Sequence, residues 1–103
     1  MSLWKVFERS VRLYENKTAL IFGEERISYK QLYEKSCHIA DHLYKIAGGK
    51  EQQKVFILSK NSIDMVALML ACMRRNLIAC PVNWRLSARE LAVILKNHNY
   101  VIR

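Results

Sequence analysis

The stretch Leu77-Ile78-Ala79-Cys80-Pro81-Val82 limits what this chain can become more than any other. It is a nearly continuous apolar run. A run without polar alternation suits a strand buried on both faces, as in a parallel sheet. Pro81 has no N–H for the ladder, so it belongs at or near the strand end. Five residues past Val82, Ser87-Ala88-Arg89-Glu90 fits a capping box, in which the hydroxyl accepts from a backbone N–H near Glu90 and Glu90 reaches back. Leu91, Ile94 and Leu95 supply an apolar face for the helix it opens. Tyr100-Val101-Ile102 starts another strand. Strand, helix and strand in this order form a βαβ unit.

The upstream chain obeys the same grammar. Leu3 to Tyr14 fits a first helix, with Leu3, Val6, Phe7, Val11 and Tyr14 close to one face. Ala19 to Phe22 reads as a strand, Gly23-Glu24-Glu25 as a turn, and Arg26-Ile27-Ser28 as its antiparallel partner. Ser28-Tyr29-Lys30-Gln31 is a second capping box, opening a helix to about Ala47. Leu32, Ser36, Ile39, Ala40, Leu43 and Ala47 form its buried face. Gly48-Gly49 ends it, and Val55 to Leu58 is the next buried strand. Asn61 or Ser62 caps a third helix faced by Ile63, Val66, Ala67, Leu70 and Ala71. Arg74 and Arg75 fall in its last turn, where cations suit the dipole, and Asn76 closes it. The class is therefore α/β: an N-terminal helix and small hairpin, then β-α-β-α-β with helices packed on a parallel sheet. No linker or low-complexity segment divides residues 1–103, and one partial domain is expected. The chain stops as its last strand begins, so it reads as a fragment of a larger domain.

Composition narrows the function. No apolar run approaches the roughly 20 residues needed to span a bilayer, and the N-terminus has no signal-peptide pattern. Cys37, Cys72 and Cys80 are odd in number, lack a CxxC, and lie in apolar-patterned segments. They read as reduced, buried, structural thiols of a cytoplasmic protein. His38 and His42 are four apart on the second helix, but no third metal ligand goes with them, so they read as surface histidines. The only glycines are Gly23, Gly48 and Gly49, so no glycine-rich phosphate loop precedes a helix. The net charge of +8 raises a nucleic-acid reading. After Met65 there are six basic residues and one acid, yet no basic cluster of the kind that marks nucleic-acid patches.

Taken together, Pro81-Val82-Asn83, Arg85-Leu86-Ser87 and Glu90-Leu91 resemble a stretch of the adenylate-forming enzymes, among them acyl-CoA synthetases and aryl-CoA ligases. The resemblance extends back through Asn61-Ser62-Ile63, Asn76-Leu77-Ile78-Ala79, Ile27 to Leu32, and Ala19 to Phe22, so it covers nearly the whole chain in order. Asn76 stands where the family usually has glycine, and Trp84 where it has proline or a small residue. The resemblance implies a parent enzyme that activates a carboxylic acid with Mg²⁺-ATP and passes the acyl group to coenzyme A. Both the succinylbenzoate or aryl branch and the fatty-acid branch fit. It also implies that the ATP-gripping loop, the ribose-binding aspartate and the catalytic lysine lie beyond the matched region. No catalytic, cofactor-binding or metal-binding residue is assigned here, and the expected partner is the remainder of the parent. Arg85 could in principle meet a phosphate or carboxylate. The cap already accounts for Glu90, so Asn83 reads as fixing the turn and Arg85 as bracing the fold. Trp84 is either an anchor against a neighbouring segment or core. Exposed sheet edges would favour a homo-oligomer. The competing expectation is a small free-standing basic α/β module for nucleic acid or an acidic partner, resting on charge alone.

Overall fold

A computed structural model describes residues 2–58, 62–82, 89 and 100–102. Along them run α1 (Leu3–Tyr14), β1 (Thr18–Phe22), β2 (Glu25–Ser28), α2 (Tyr29–Ile46), β3 (Lys54–Leu58), α3 (Ile63–Arg74), β4 (Ile78–Val82) and β5 (Tyr100–Ile102). The α/β class and the order of elements are those expected. Asn61, Asn83, Trp84, Arg85, Ser87 and Glu90 of the expected cap, and residues 91–95 of the helix expected after it fall outside the described residues.

Each of these helices opens on a serine. Ser2 Oγ accepts from the Lys5 amide at 3.3 Å, and Ser62 Oγ from the Met65 amide at 3.2 Å. At Ser28 the box is complete: the Gln31 amide donates to Ser28 Oγ at 3.1 Å, and the Ser28 amide donates to Gln31 Oε1 at 3.0 Å. Such caps satisfy amides that the helix itself leaves orphaned, each for about 1 kcal/mol. The ends of α2 and α3 are equally well made. After α2, the Gly48 amide donates to Lys45 O and the Gly49 amide to Tyr44 O, with Gly48 at φ 62°. After α3, the Asn76 amide donates to Met73 O and the Leu77 amide to Cys72 O, with Asn76 at φ 54°. Both are Schellman closures, which need a residue that tolerates the left-handed region; asparagine serves where glycine is the usual choice.

β1 and β2 form a two-stranded antiparallel hairpin. The second sheet is parallel, in the order β4-β3-β5, with Val55 opposite both Ala79 and Tyr100. This order corrects one expectation. The Leu77–Val82 run was expected to be buried on both faces, but among the described residues β4 is paired only with β3; Ile78 and Pro81 are exposed and the other three strand residues half-buried. The strand enclosed on both sides is β3, where Val55, Phe56 and Ile57 are all buried. Apolar content reports burial but not position in the sheet, because strand order is set by the crossovers. Pro81 sits next to last in β4, which among the described residues pairs on one side alone, where its missing donor is tolerated.

The core has two parts. Ala40, Leu43 and Ala47 of α2 meet Val55 and Ile57 of β3, Ala71 and Cys72 of α3, and Leu77. Separately, Trp4, Phe7 and Val11 of α1 meet Leu32 of α2 and Ala67 of α3, with Leu20 and Ile27 of the hairpin packed alongside. The α1 face also differs from expectation. Trp4, Phe7 and Val11 point inward, while Leu3, Val6 and Tyr14 are exposed. Apolar residues cover half the circumference of α1, so helical periodicity admits two adjacent stripes. The aromatic one is buried because Trp4 stacks on Tyr33 at 5.7 Å and tilts against Phe7 at 5.4 Å.

Candidate functional site

Chemistry requires polar side chains brought together in a sheltered place. His38 and His42 lie on the exposed side of α2. Among the described residues no group of three or more His, Cys, Asp and Glu could hold a metal ion. The three cysteines are free thiols; Cys72 is buried, whereas Cys37 and Cys80 are half-buried, a correction to the expectation that all three are interior. Burial, and then the neighbouring Cys80, pushes the Cys72 thiol up to about 11. It holds its proton and is a poor nucleophile. The Tyr33 hydroxyl is also raised, first by its hydrogen bond with Cys37 and then by burial.

Among the described residues, clefts lie between elements. One, about 210 Å³, is lined by Glu8 and Arg12 of α1 and Tyr33 of α2. A larger one, about 450 Å³, is lined by Glu25, Arg26 and Ile27 of β2, Gln31 and Lys35 of α2, and Ser62, Ile63 and Asp64 at the start of α3. Its charged lining is two acids and two bases, and Lys35 Nζ pairs with Asp64 Oδ1 at 2.5 Å. A charge-balanced cleft whose helix N-terminus is already capped by Ser62 has little pull on a phosphate. A third, about 130 Å³, lies at the carboxyl ends of α2 and α3 and includes Tyr44, Lys50, Glu51, Arg74 and Arg75.

Arg74 and Arg75 do more than sit near a helix dipole. The Arg75 Nη2 donates to Asp41 Oδ1 at 2.6 Å, its Nε donates to Ala40 O at 3.2 Å, and its guanidinium lies 4.6 Å from the Tyr44 ring. Arg74 lies 5.2 Å from the Trp4 ring. Adjacent arginines thus hold α3 against α2 and against α1. Sequence reasoning missed this brace, because its partners are 34 and 35 residues away for Arg75. The pairing of two consecutive cations with upstream aromatics was the only available signal.

Asn83, Trp84 and Arg85 follow Val82, which ends β4 beside Leu58 of β3 at the carboxyl edge of the parallel sheet. That edge is where open α/β sheets bind ligands. The residues themselves lie outside the described ones, as does Glu90.

Comparison with known proteins extends this geometry. The model of the family described as "AMP-binding enzyme" matches residues 7–102. The chain is 37% identical over 79 residues to the 2-succinylbenzoate–CoA ligase of Bacillus cereus, covering 77% of this chain and 16% of that ligase. It is 33% identical over 94 residues to a medium/long-chain-fatty-acid–CoA/3-oxocholest-4-en-26-oate–CoA ligase of Mycobacterium marinum, covering 91% of this chain and 17% of that ligase. Among solved structures, the N-terminal subdomain of Klebsiella oxytoca NpsA in complex with anthranilyl-AMSN superposes with a TM-score of 0.83 at 24% identity. That match covers 97% of this chain and 26% of the subdomain. The chain therefore spans about a sixth of the length of its curated relatives.

Proposed function

The chain belongs to the AMP-binding enzyme family, and on that premise we propose that it is the opening segment of an ATP-dependent carboxylic acid–CoA ligase. Residues 1–103 would be one partial domain whose role is structural: the first strands and helices of the large N-terminal domain. The supporting observation is the ordered match of residues 7–102, together with a hairpin and parallel sheet that keep the expected order.

In the whole enzyme the carboxylate displaces pyrophosphate from Mg²⁺-ATP to give an acyl-adenylate. The coenzyme A thiol then takes the acyl group and AMP leaves. None of the described residues is assigned to ATP, Mg²⁺ or coenzyme A. In each of the three described helices a serine oxygen already accepts from one N-terminal amide. Gly48 and Gly49 lie at the carboxyl end of α2, where the helix dipole disfavours an anion. No step is therefore assigned to this chain's residues; its partner is the rest of the parent. A 2-succinylbenzoate-like aryl acid and a fatty acid are the substrate classes that the relatives' names support. Three cysteines without a disulfide support a cytoplasmic setting.

The test is pyrophosphate release from Mg²⁺-ATP with either acid. The 103-residue chain alone should match the protein-free blank, and a longer natural product carrying it should release pyrophosphate in an acid-dependent way. Release by the short chain would overturn the structural role. No release by the longer product with either acid would overturn the ligase reading.

A further inference from the structure

The outer face of α1 is unusual in leaving large apolar side chains in water: Leu3 is 68% exposed, Leu13 63% and Val6 45%. With helical geometry these three fall within about 100° of arc, directly beside the buried Trp4–Phe7–Val11 stripe. The same arc also holds Ser10, so they form an apolar stripe interrupted once, with Leu3 and Val6 at the amino end of the helix and Leu13 at its carboxyl end.

What borders the stripe is equally ordered. Lys5, Arg9 and Arg12 follow on its free flank, and all three are exposed. Among the described residues, none of these cations forms an ion pair. Glu8 and Glu15 lie on the side opposite the apolar stripe, between the cations and the buried stripe, and Glu8 and Arg12 line one cleft with Tyr33. An apolar stripe edged by unpaired cations, on a chain of net charge +8, is complementary to a surface that is apolar beneath and negative at its rim. An anionic lipid leaflet has that structure: the stripe enters the boundary between headgroups and acyl chains, and the cations meet phosphates. None of the described helices is long and apolar enough to cross a membrane, so the mode is lying on the surface.

We propose that α1 docks this chain on anionic membrane surfaces through Leu3, Val6 and Leu13, flanked by Lys5, Arg9 and Arg12. This does not rest on the ligase reading. The test is co-sedimentation with vesicles of phosphatidylcholine plus phosphatidylglycerol, and with phosphatidylcholine alone. The 103-residue chain should bind the mixed vesicles and bind the neutral ones far more weakly. Leu3→Ser with Leu13→Ser should lower partitioning by roughly tenfold or more, from the apolar area withheld. Arg9→Glu with Arg12→Glu should remove the preference for the mixed vesicles. Circular dichroism checks that the helices persist; Val6→Thr, nearly the same shape, repeats the apolar test with less change and should weaken binding in the same direction.

Undiminished binding by the double serine variant would overturn the proposal, because net charge alone would then explain it. So would absence of vesicle binding with a concentration-dependent dimer that the serines abolish, which would make a second copy the occupant. Binding by the short chain but not by the longer natural product would also overturn it, because the remainder of the parent would then cover the stripe.

Discussion

The two cores of the molecule solve the same problem with different materials. Around β3 the contacts are small and aliphatic: Ala40, Ala71, Cys72 and Ile57 are fully buried, and alanine spacing lets α2 and α3 approach the sheet closely. Around α1 the contacts are aromatic, and they are less completely enclosed: Trp4, Phe7 and Val11 retain 7–9% of their surface. The first core joins elements that follow one another in the sequence. The second recruits a separate helix onto a surface that α2 and α3 already present. Ile39 packs against both. The β3 core is therefore the foundation, and the α1 core depends on it.

That asymmetry can be broken experimentally. The largest effect is expected at the foundation. Ile57→Ala should cost about 2–5 kcal/mol, since it empties the centre of the inner strand. In urea titrations followed by circular dichroism, the fluorescence of Trp4 in a Trp84→Phe background should lose its native signal along with the rest. Survival of the Trp4 environment after the sheet melts would show that the α1 core stands alone. Val11→Ala removes two methyl groups from the dependent core and should cost roughly 1.5 kcal/mol. Its hydrogen exchange should quicken in α1 while the β3 amides stay protected. Equal quickening in both would dissolve the distinction. Ser28→Ala is smallest, about 1 kcal/mol. It acts at the junction where the hairpin enters α2, so a thermal melt should shift modestly with its shape unchanged; a second transition would place the junction at a boundary between independent units.

Much of this was legible in the residues. The Ser28–Gln31 box, the closures at Gly48 and Asn76, and the bounds of α1 follow from local chemistry, which a short stretch carries complete. The membership of β3, β4 and β5 in one parallel sheet was also readable, from apolar runs alternating with helices. The inward face of α1 was not, because two apolar stripes compete and only the surface of α2 and α3 selects between them. The central place of β3 was hidden for a related reason: Leu77–Val82 is as apolar as Val55–Leu58, and only pairing makes one of them inner. The Arg74–Arg75 brace joins residues far apart in the chain, and only the pairing of consecutive cations with upstream aromatics hinted at it. As for a catalytic site, the expectation assigned none to this segment, and the polar residues it singled out around Arg85 lie outside the described ones.

The turn at Asn76 has a consequence for strand register. Its carbonyl accepts from the Gln52 amide at 2.8 Å, its Nδ2 donates to Glu51 Oε2 at 3.3 Å, and the Ile78 amide donates to Gln53 O at 2.9 Å. The entry points of β3 and β4 are thus latched together. A slip of one residue would turn each side chain to the wrong face, and here it would first have to open that latch. These bonds tie the register of β3 against β4 at one end of the pair, as a zipper is aligned at its base.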